Sequence, residues 1–404
     1  MTEAASAAVE RAARTSYGRL VALLAARSGD VDAAEEALAE AFAAALRDWA
    51  SEGVPNNPEA WLLTAARRRM IDEARRIAVR ERAEPAMAYE ASQLVQSIDG
   101  TDIPDRRLEL MFACAHASID ASMRAPLILQ AVLGIDAAVI AGAFLTSPST
   151  MAQRLVRAKR KIRDAGIRFE IPERGQFPVR LEAVLEAIYG AFGTGWDAVH
   201  GGDAARADLA DEAVYLGRLV VDALPEEPEP RGLLAVMLYC EARRAARRDA
   251  SGQYVPLSAQ SPDHWNVALI REAESLLSVA ARMRQPGRFQ IEAAIQSAHL
   301  APAFGRPADE RAISALYDAL VALAPTVAVH VNRAAAIARA SGPAAGLEAA
   351  DTLPLAVVAE YQPWWALRAH LLSLLGRSEE AASARVRAAG LTEDPAVRDF
   401  LLNA

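Results

Sequence analysis

Residues 135–163 run IDAAVIAGAFLTSPSTMAQRLVRAKRKIR. Ile135–Phe144 has the length of a short helix, with the small residues Ala141 and Gly142 where a neighbour must approach. Leu145-Thr146 makes a turn. Ser147-Pro148 then opens a second helix: the serine hydroxyl accepts from an N–H of the first turn, and proline at the first helical position gives up an N–H that has no helical partner. On this second helix Met151, Leu155, Ala158 and Ile162 share one face, while Thr150, Arg154, Arg157 and Lys161 share the opposite one, with Gln153 beside them. A short helix, a turn and a capped basic helix form a helix-turn-helix pattern. Side chains near its start are placed to meet base edges, and the later cations to meet phosphates. A charge run is more often only a solvated helix face. The cap, the short partner helix and the density of cations weigh toward DNA.

A second nucleic-acid signal lies upstream. Asn57-Pro58 repeats the logic of cap plus proline, and the helix that follows carries Trp61 and Leu62 and then Arg67, Arg68, Arg69, Arg75, Arg76, Arg80 and Arg82. Asn56 and Asn57 precede this arginine-rich helix in a loop, and an asparagine side chain offers a donor and an acceptor to a splayed-out base. Two helices come before it, over about 8–27 and 31–49. The second has Leu38, Phe42 and Leu46 on one face and Asp32, Glu35, Glu36 and Glu40 nearby.

The 404 residues require two or three domains. Hydrophobic residues make up 52% and aromatics 6%, with Ala and Leu dominant, a composition that favours helices. No run alternates in the manner of a strand, so the expected fold is all-α. No stretch is long and apolar enough for a bilayer, and the N-terminus has no signal-peptide core, so a soluble, cytoplasmic protein is expected. The net charge of −8 argues against a DNA binder until it is divided: residues 1–170 carry −1 and residues 171–404 carry −7. The cations of the first part are clustered, which matters more than the sum because salt screens distant charges. The chain's only two lysines, Lys159 and Lys161, lie in the cluster of 154–163.

No catalytic or metal constellation emerges. Cys114 and His116 are too close on a helix to share a metal face easily, and burial is the better reading of the cysteine. The remaining histidines form no zinc motif, and Gly201-Gly202 is a turn rather than a phosphate loop. Beyond a second linker at Ile171–Gly175, helical segments joined by short Pro/Gly breaks suggest stacked hairpins, at 178–192, 204–224, 230–248, 263–284, 287–300, 309–323, 326–341, 354–375, 378–389 and 394–402. Residues 364–390, WWALRAHLLSLLGRSEEAASARVRAAG, have tetratricopeptide logic, although the period is poor elsewhere.

The motifs together resemble a known family. W-x₃-G-V-P-x-N-P-x-A-W-L, followed by A-A-R-R-R-M-I-D-E-A-R-R, is similar to regions 2.3 and 2.4 of extracytoplasmic-function sigma factors. D-V-D-A-A-E-E-A-L-A-E-A-F is similar to region 2.2, and A-F-L-T-S-P-S-T-M-A-Q-R-L-V-R-A-K-R-K-I to region 4.2. The C-terminal part resembles the subgroup with a tetratricopeptide-like extension. The resemblance implies sigma domain 2 as a helical bundle (1–82), a linker (83–104) threading the RNA exit path, a helix-turn-helix domain 4 (105–170) and an α-solenoid extension (175–404). It implies a binding protein with no cofactor or metal and no enzymatic activity. Its partners would be core RNA polymerase, through the β′ clamp and β flap, and promoter DNA. Asp32, Glu35, Glu36 and Glu40 would dock on the clamp. The loop Ser51–Asn57 and Arg68 would contact the melted −10 element, and Ser149, Thr150, Gln153, Arg154 and Arg157 would read the −35 element, with Arg67, Arg75, Arg76 and Lys161 completing the DNA-binding set. Ala152 and Gln153 depart from many relatives, which leaves the promoter sequence open. The acidic extension is expected to contact the sigma domains. The competing assignment is a helix-turn-helix regulator whose helical C-terminal domain senses a ligand.

Overall fold

A computed structural model describes residues 3–80, 103–144, 146–196 and 204–403. Arg82, Leu145, Gly201-Gly202 and all but the last two residues of the linker 83–104 lie outside the described residues. The described residues form nineteen α-helices and no strand, beyond one isolated bridge between Arg248 and Tyr254. The chain divides into two compact units, the first holding residues 1–197 and 204–216, the second residues 217–404.

The first unit begins with α1 (Glu3–Ser28), α2 (Val31–Glu52) and α3 (Pro58–Arg80). The run Leu20–Ala25 of α1 is buried on every side, so this helix passes through the middle of the unit. Its Gly18 lies so near α5 (Ala121–Leu133) that an added Cβ would stand 1.9 Å from the carbonyl oxygen of Val132. Asp30 caps α2 by accepting from Ala33 N at 3.1 Å, and Asn57 caps α3 by accepting from Ala60 N at 3.0 Å. The buried face of α2 is built mostly of alanines (Ala34, Ala37, Ala41, Ala45) with Leu38 and Trp49, which lets α1 approach closely. Phe42 and Leu46 are only half-buried. Trp49 meets Trp61 of α3 edge to face, with centroids 5.5 Å apart.

Four helices follow: α4 (Arg107–Cys114), α5, α6 (Ala137–Ala143) and α7 (Pro148–Asp164). Leu110–Ala115 are wholly buried, Cys114 among them. α8 (Phe177–Trp196) packs on α4 and α5, with Phe177 stacked on Phe112 at 6.1 Å. α9 (Ala204–Ala223) contributes its residues through Leu216 to this unit.

The second unit is organised on α10 (Pro228–Ala242), whose run Leu233–Tyr239 is buried without interruption, as in a helix enclosed by neighbours. α11 (Val267–Arg282) and α12 (Arg288–Leu300) pack on it. Glu229 of α10 accepts from the N–H groups of Phe289 and Gln290, at 3.0 and 3.2 Å, placing a carboxylate at the start of α12, where the helix dipole favours it. Hairpins follow: α13 (Glu310–Leu323) with α14 (Val327–Ser341), then α15 (Pro343–Asp351), α16 (Leu355–Val358), α17 (Gln362–Leu374), α18 (Ser378–Gly390) and α19 (Pro395–Asn403). Arg333–Asp318 and Arg339–Glu310, at 2.6 and 2.8 Å, tie α13 to α14. Trp364 is buried and donates through Nε1 to Ala350 O at 3.0 Å. Residues 243–266, expected to be partly helical, instead carry three short 3₁₀ turns, where Pro256 and Pro262 interrupt helical hydrogen bonding.

His299 of α12 has its pKa pushed down to about 4, by burial first and then by Arg339 and Arg243. The folded value lies below the unfolded one, so the unfolded chain takes up the proton first on acidification. The contribution is complete above about pH 6.5 and is lost as pH falls toward 4, by about 2–3 kcal/mol. His299→Gln should therefore lose less stability than the wild type between pH 7 and 4.5 in urea titrations. Equal losses would count against a buried neutral imidazole.

Candidate nucleic-acid interface

The helix-turn-helix geometry follows from local caps. Asp136 accepts from Ala138 N at 2.7 Å to start α6. Thr146 N reaches back to Ala141 O at 3.0 Å across the turn. Ser147 Oγ then accepts from Thr150 N at 3.2 Å and donates to Thr150 Oγ1 at 2.7 Å, so the threonine hydroxyl is part of the cap. Ile140 and Ala141 of α6 are buried, as are Met151, Leu155, Ala158 and Ile162 of α7. The opposite face leaves Ser149, Gln153, Arg154, Arg157 and Lys161 exposed and Thr150 half-buried. Arg154, Arg157 and Lys161 border a cleft of about 460 Å³ whose other wall is Ser118–Met123. Asp120 in that wall is held below the usual carboxylate range, first by its hydrogen bonds from Ser122 and to a lesser degree by the Arg154 and Arg124 charges.

The second basic surface lies on α3. Asn56 and Asn57 are exposed, but Asn57 Oδ1 is committed to the helix cap. Arg68, Arg75 and Arg76 are exposed, and Arg76 pairs with Glu73 at 3.1 Å. Arg69 reaches Glu40 of α2 at 3.1 Å. Arg67 points inward: its Nε and one terminal nitrogen are buried without a hydrogen-bond partner. Burial, with the nearby Arg27 charge, lowers its pKa.

The acidic residues of α2 do not share one environment. Glu36 and Glu40 are exposed. Asp32 and Glu35 instead meet Lys159 of α7, whose Nζ lies 3.0 Å from Asp32 Oδ1 and 2.7 Å from Glu35 Oε2. Lys159 is nearly covered, its side chain 7% exposed. Burial alone would discharge it, but Glu35 and Asp32 outweigh that and raise its pKa. Arg163, one helical turn on, adds a contact to Asp30 at 3.3 Å. The sequence placed Lys159 in a basic cluster; only its position on the face between Leu155 and Ile162 hints that it turns inward.

A second buried ion group centres on Arg107. Its guanidinium pairs with Asp105 at 2.6 Å and with Glu212 of α9, and lies 4.9 Å from the centre of the Tyr215 ring. Tyr215 in turn donates to Asp105 at 3.2 Å. Asp105 is thus one corner of a network. Burial opposes its charge, yet the Arg107 hydrogen bonds keep its pKa below the usual range. Nothing in the sequence linked residues 105 and 212.

The helices carrying the second basic surface and the acidic set match the family model of sigma-70 region 2, over residues 13–80. This match supports a sigma-70 family factor, and with it binding to core RNA polymerase and promoter DNA in general. Over nearly its whole length the chain also belongs to one family with an uncharacterized protein of Rhizobium meliloti (strain 1021), to which it is 38% identical over 368 residues, 90% of this chain and 86% of that one. Residues 180–281 match a family of unknown function, DUF6596. No solved structure matches. Among the described residues no helix is long and apolar enough to cross a membrane.

Proposed function

We propose that the chain is a sigma factor of the extracytoplasmic-function type, with a second DNA-reading domain at residues 105–170 and a tetratricopeptide-like extension. The observation that carries this reading is the pairing of a sigma-70 region 2 match with a separate, capped helix-turn-helix whose cationic face is open to solvent. A repressor needs the second feature and has no use for the first.

In this reading the acids Asp32, Glu35, Glu36 and Glu40 dock on the β′ clamp, and the helix-turn-helix domain contacts the β flap. Asn56, Asn57 and the arginines of α3 hold unstacked bases of the −10 element. Unstacking costs a few kcal/mol, which pocket contacts and phosphate pairing offset. Ser149, Gln153 and Arg154, near the start of α7, read the −35 element, while Arg157 and Lys161 grip phosphate. Thr150 serves the cap as much as the DNA. Arg67, turned inward, is the arginine of α3 least placed to contact DNA. The extension regulates or supports these domains without chemistry of its own.

The test is co-purification. The full-length chain should elute in one-to-one complex with core RNA polymerase, and a variant with Glu36 and Glu40 changed to lysine should not. Failure of the wild-type chain to bind core polymerase would refute the reading.

A further inference from the structure

We infer that the second unit binds a small amphipathic organic anion, in a cavity lined by the irregular segment 256–265 and by α12, α13, α14, α17, α18 and α19, with Arg385 as its counter-ion.

The cavity measures about 730 Å³, a size suited to a small organic molecule. It has an irregular wall because residues 256–265 cannot continue a helix. Pro256 and Pro262 break the hydrogen bonding, and the segment passes from α10 to α11 in 3₁₀ turns. Two contacts hold the stretch before it against the last helix. Arg248 pairs with Asp394 at the start of α19, and the Tyr254 ring meets Phe400 edge to face at 5.4 Å. The wall is thereby set before a ligand arrives, which lowers the entropic cost of binding.

The lining offers three kinds of group. Trp265, Phe400 and Leu401 supply an apolar floor. Polar atoms come next. Trp265 is only 6% exposed, and its Nε1, a donor, is buried without a hydrogen-bond partner. Gln260 Oε1, an acceptor, is likewise buried and unpaired. The amide nitrogen of Gln260 already donates to Val255 O at 3.1 Å, so its oxygen is the group left over. A buried donor or acceptor without a partner has lost its hydration and gained nothing, which native proteins seldom tolerate. Two such atoms in the wall of one cavity point to a ligand that carries their partners.

Charge is the third kind. Glu310, Arg339 and Arg385 are the charged side chains of the lining. Glu310 is taken by Arg339 at 2.8 Å. Arg385 is half-buried and has no ion pair or hydrogen bond among the described residues. His299, its pKa pushed down to about 4 by burial, adds hydrogen-bonding capacity without charge at neutral pH. One uncompensated guanidinium beside an apolar floor selects an anion, and its planar fork suits a carboxylate or a sulfonate. The ligand therefore has an acidic group for Arg385 and the indole N–H, an N–H or O–H for Gln260, and an apolar body for the floor.

The probe is an anilinonaphthalenesulfonate with its sulfonate and amine at opposite ends of the naphthalene. Its uncharged counterpart is N-phenylnaphthylamine, the same rings without the sulfonate. Both are titrated by fluorescence into the full-length wild type, Arg385→Gln, Arg385→Lys and Ser373→Trp. The wild type should bind the sulfonate at a single saturable site and more tightly than the uncharged amine. Arg385→Gln should weaken the sulfonate on the order of tenfold, the worth of one charge-assisted hydrogen bond, and leave the amine unchanged. Arg385→Lys should keep most of the sulfonate affinity. Ser373 lines the cavity from an exposed position on α17, so Ser373→Trp fills the space without disturbing the core and should weaken both dyes. If Arg385→Gln does not fold, Ser373→Trp and the comparison of the two dyes on the wild type carry the test. No saturable binding to the wild type, equal affinity for the two dyes, or sulfonate binding unaltered in Arg385→Gln and Ser373→Trp would overturn the site. Dye binding needs no polymerase, so its failure leaves the sigma reading intact.

Discussion

Arg107→Ala is expected to destabilise the first unit by about 3–5 kcal/mol, the range for removing one member of a buried ion group, because Asp105 and Glu212 are left facing each other with no cation. Both carboxylates are largely covered, and the side chain of Arg107 is 7% exposed. For a unit of this size the loss corresponds to roughly 10 °C or more in melting temperature. The aliphatic stem contributes as well, since it passes beside Gly18 where α1 and α5 are in close contact. Arg14→Ala, which removes an exposed pair to Asp208 at 3.5 Å, is the matched control and should cost less than about 1 kcal/mol. Thermal denaturation of the two variants tests the network; similar small losses in both would mean that the Arg107 group is only a surface feature. The same argument bears on the extension. Truncation after Glu173 removes Glu212 and Tyr215 and uncovers the surface of α4 and α5 on which α8 packs. The shortened protein should therefore be less stable than the sigma segments within the whole chain.

The second large effect concerns α7. Arg154→Ala should lower transcription from a matched promoter by about 10- to 100-fold while changing mismatched promoters much less, as expected for loss of a bidentate base contact worth about 1–3 kcal/mol. Lys161→Ala should weaken binding evenly across sequences and reduce the salt dependence by about one phosphate contact. Both residues are exposed on the same face, two helical turns apart, with Arg154 nearer the capped start. Run-off transcription on matched and mismatched templates at two salt concentrations separates the cases. Equal effects of the two changes would contradict the division between base and phosphate contact.

The all-α architecture was legible because its punctuation is local. Ser147-Pro148 and Asn57-Pro58 start helices, Gly134 ends one in the left-handed region, and alternation of apolar and polar residues at helical spacing fills the intervals. Less legible was α15, whose residues 343–351 lie in the gap between the expected helices 326–341 and 354–375. Gly342, with φ of 101°, ends α14, and Pro343 then starts a new helix. Gly346 reads as a helix weakener but serves close approach: an added Cβ would stand 2.4 Å from Ala338 Cβ.

For the candidate site, periodicity identified which face of α7 is apolar but could not assign every cation. Lys159 and Arg67 belong by sequence to basic clusters, yet one is buried against α2 and the other turns inward. For Lys159 the outcome depends on a partner 124 residues away in sequence, Glu35, which no local pattern encodes. The Arg107–Glu212 pair spans 105 residues, beyond any local pattern.

The central claim, that this chain directs polymerase to promoters, is tested most directly by reconstituted initiation. Purified full-length protein, core RNA polymerase and a library of genomic promoter fragments are combined, and transcript starts are mapped. The account predicts defined starts at a shared pair of sequence elements only when both proteins are present, and weak binding of duplex fragments by the chain alone, since each domain offers few base-reading side chains. Tight, sequence-specific binding by the chain alone, with no polymerase-dependent starts, would contradict it and favour a helix-turn-helix regulator.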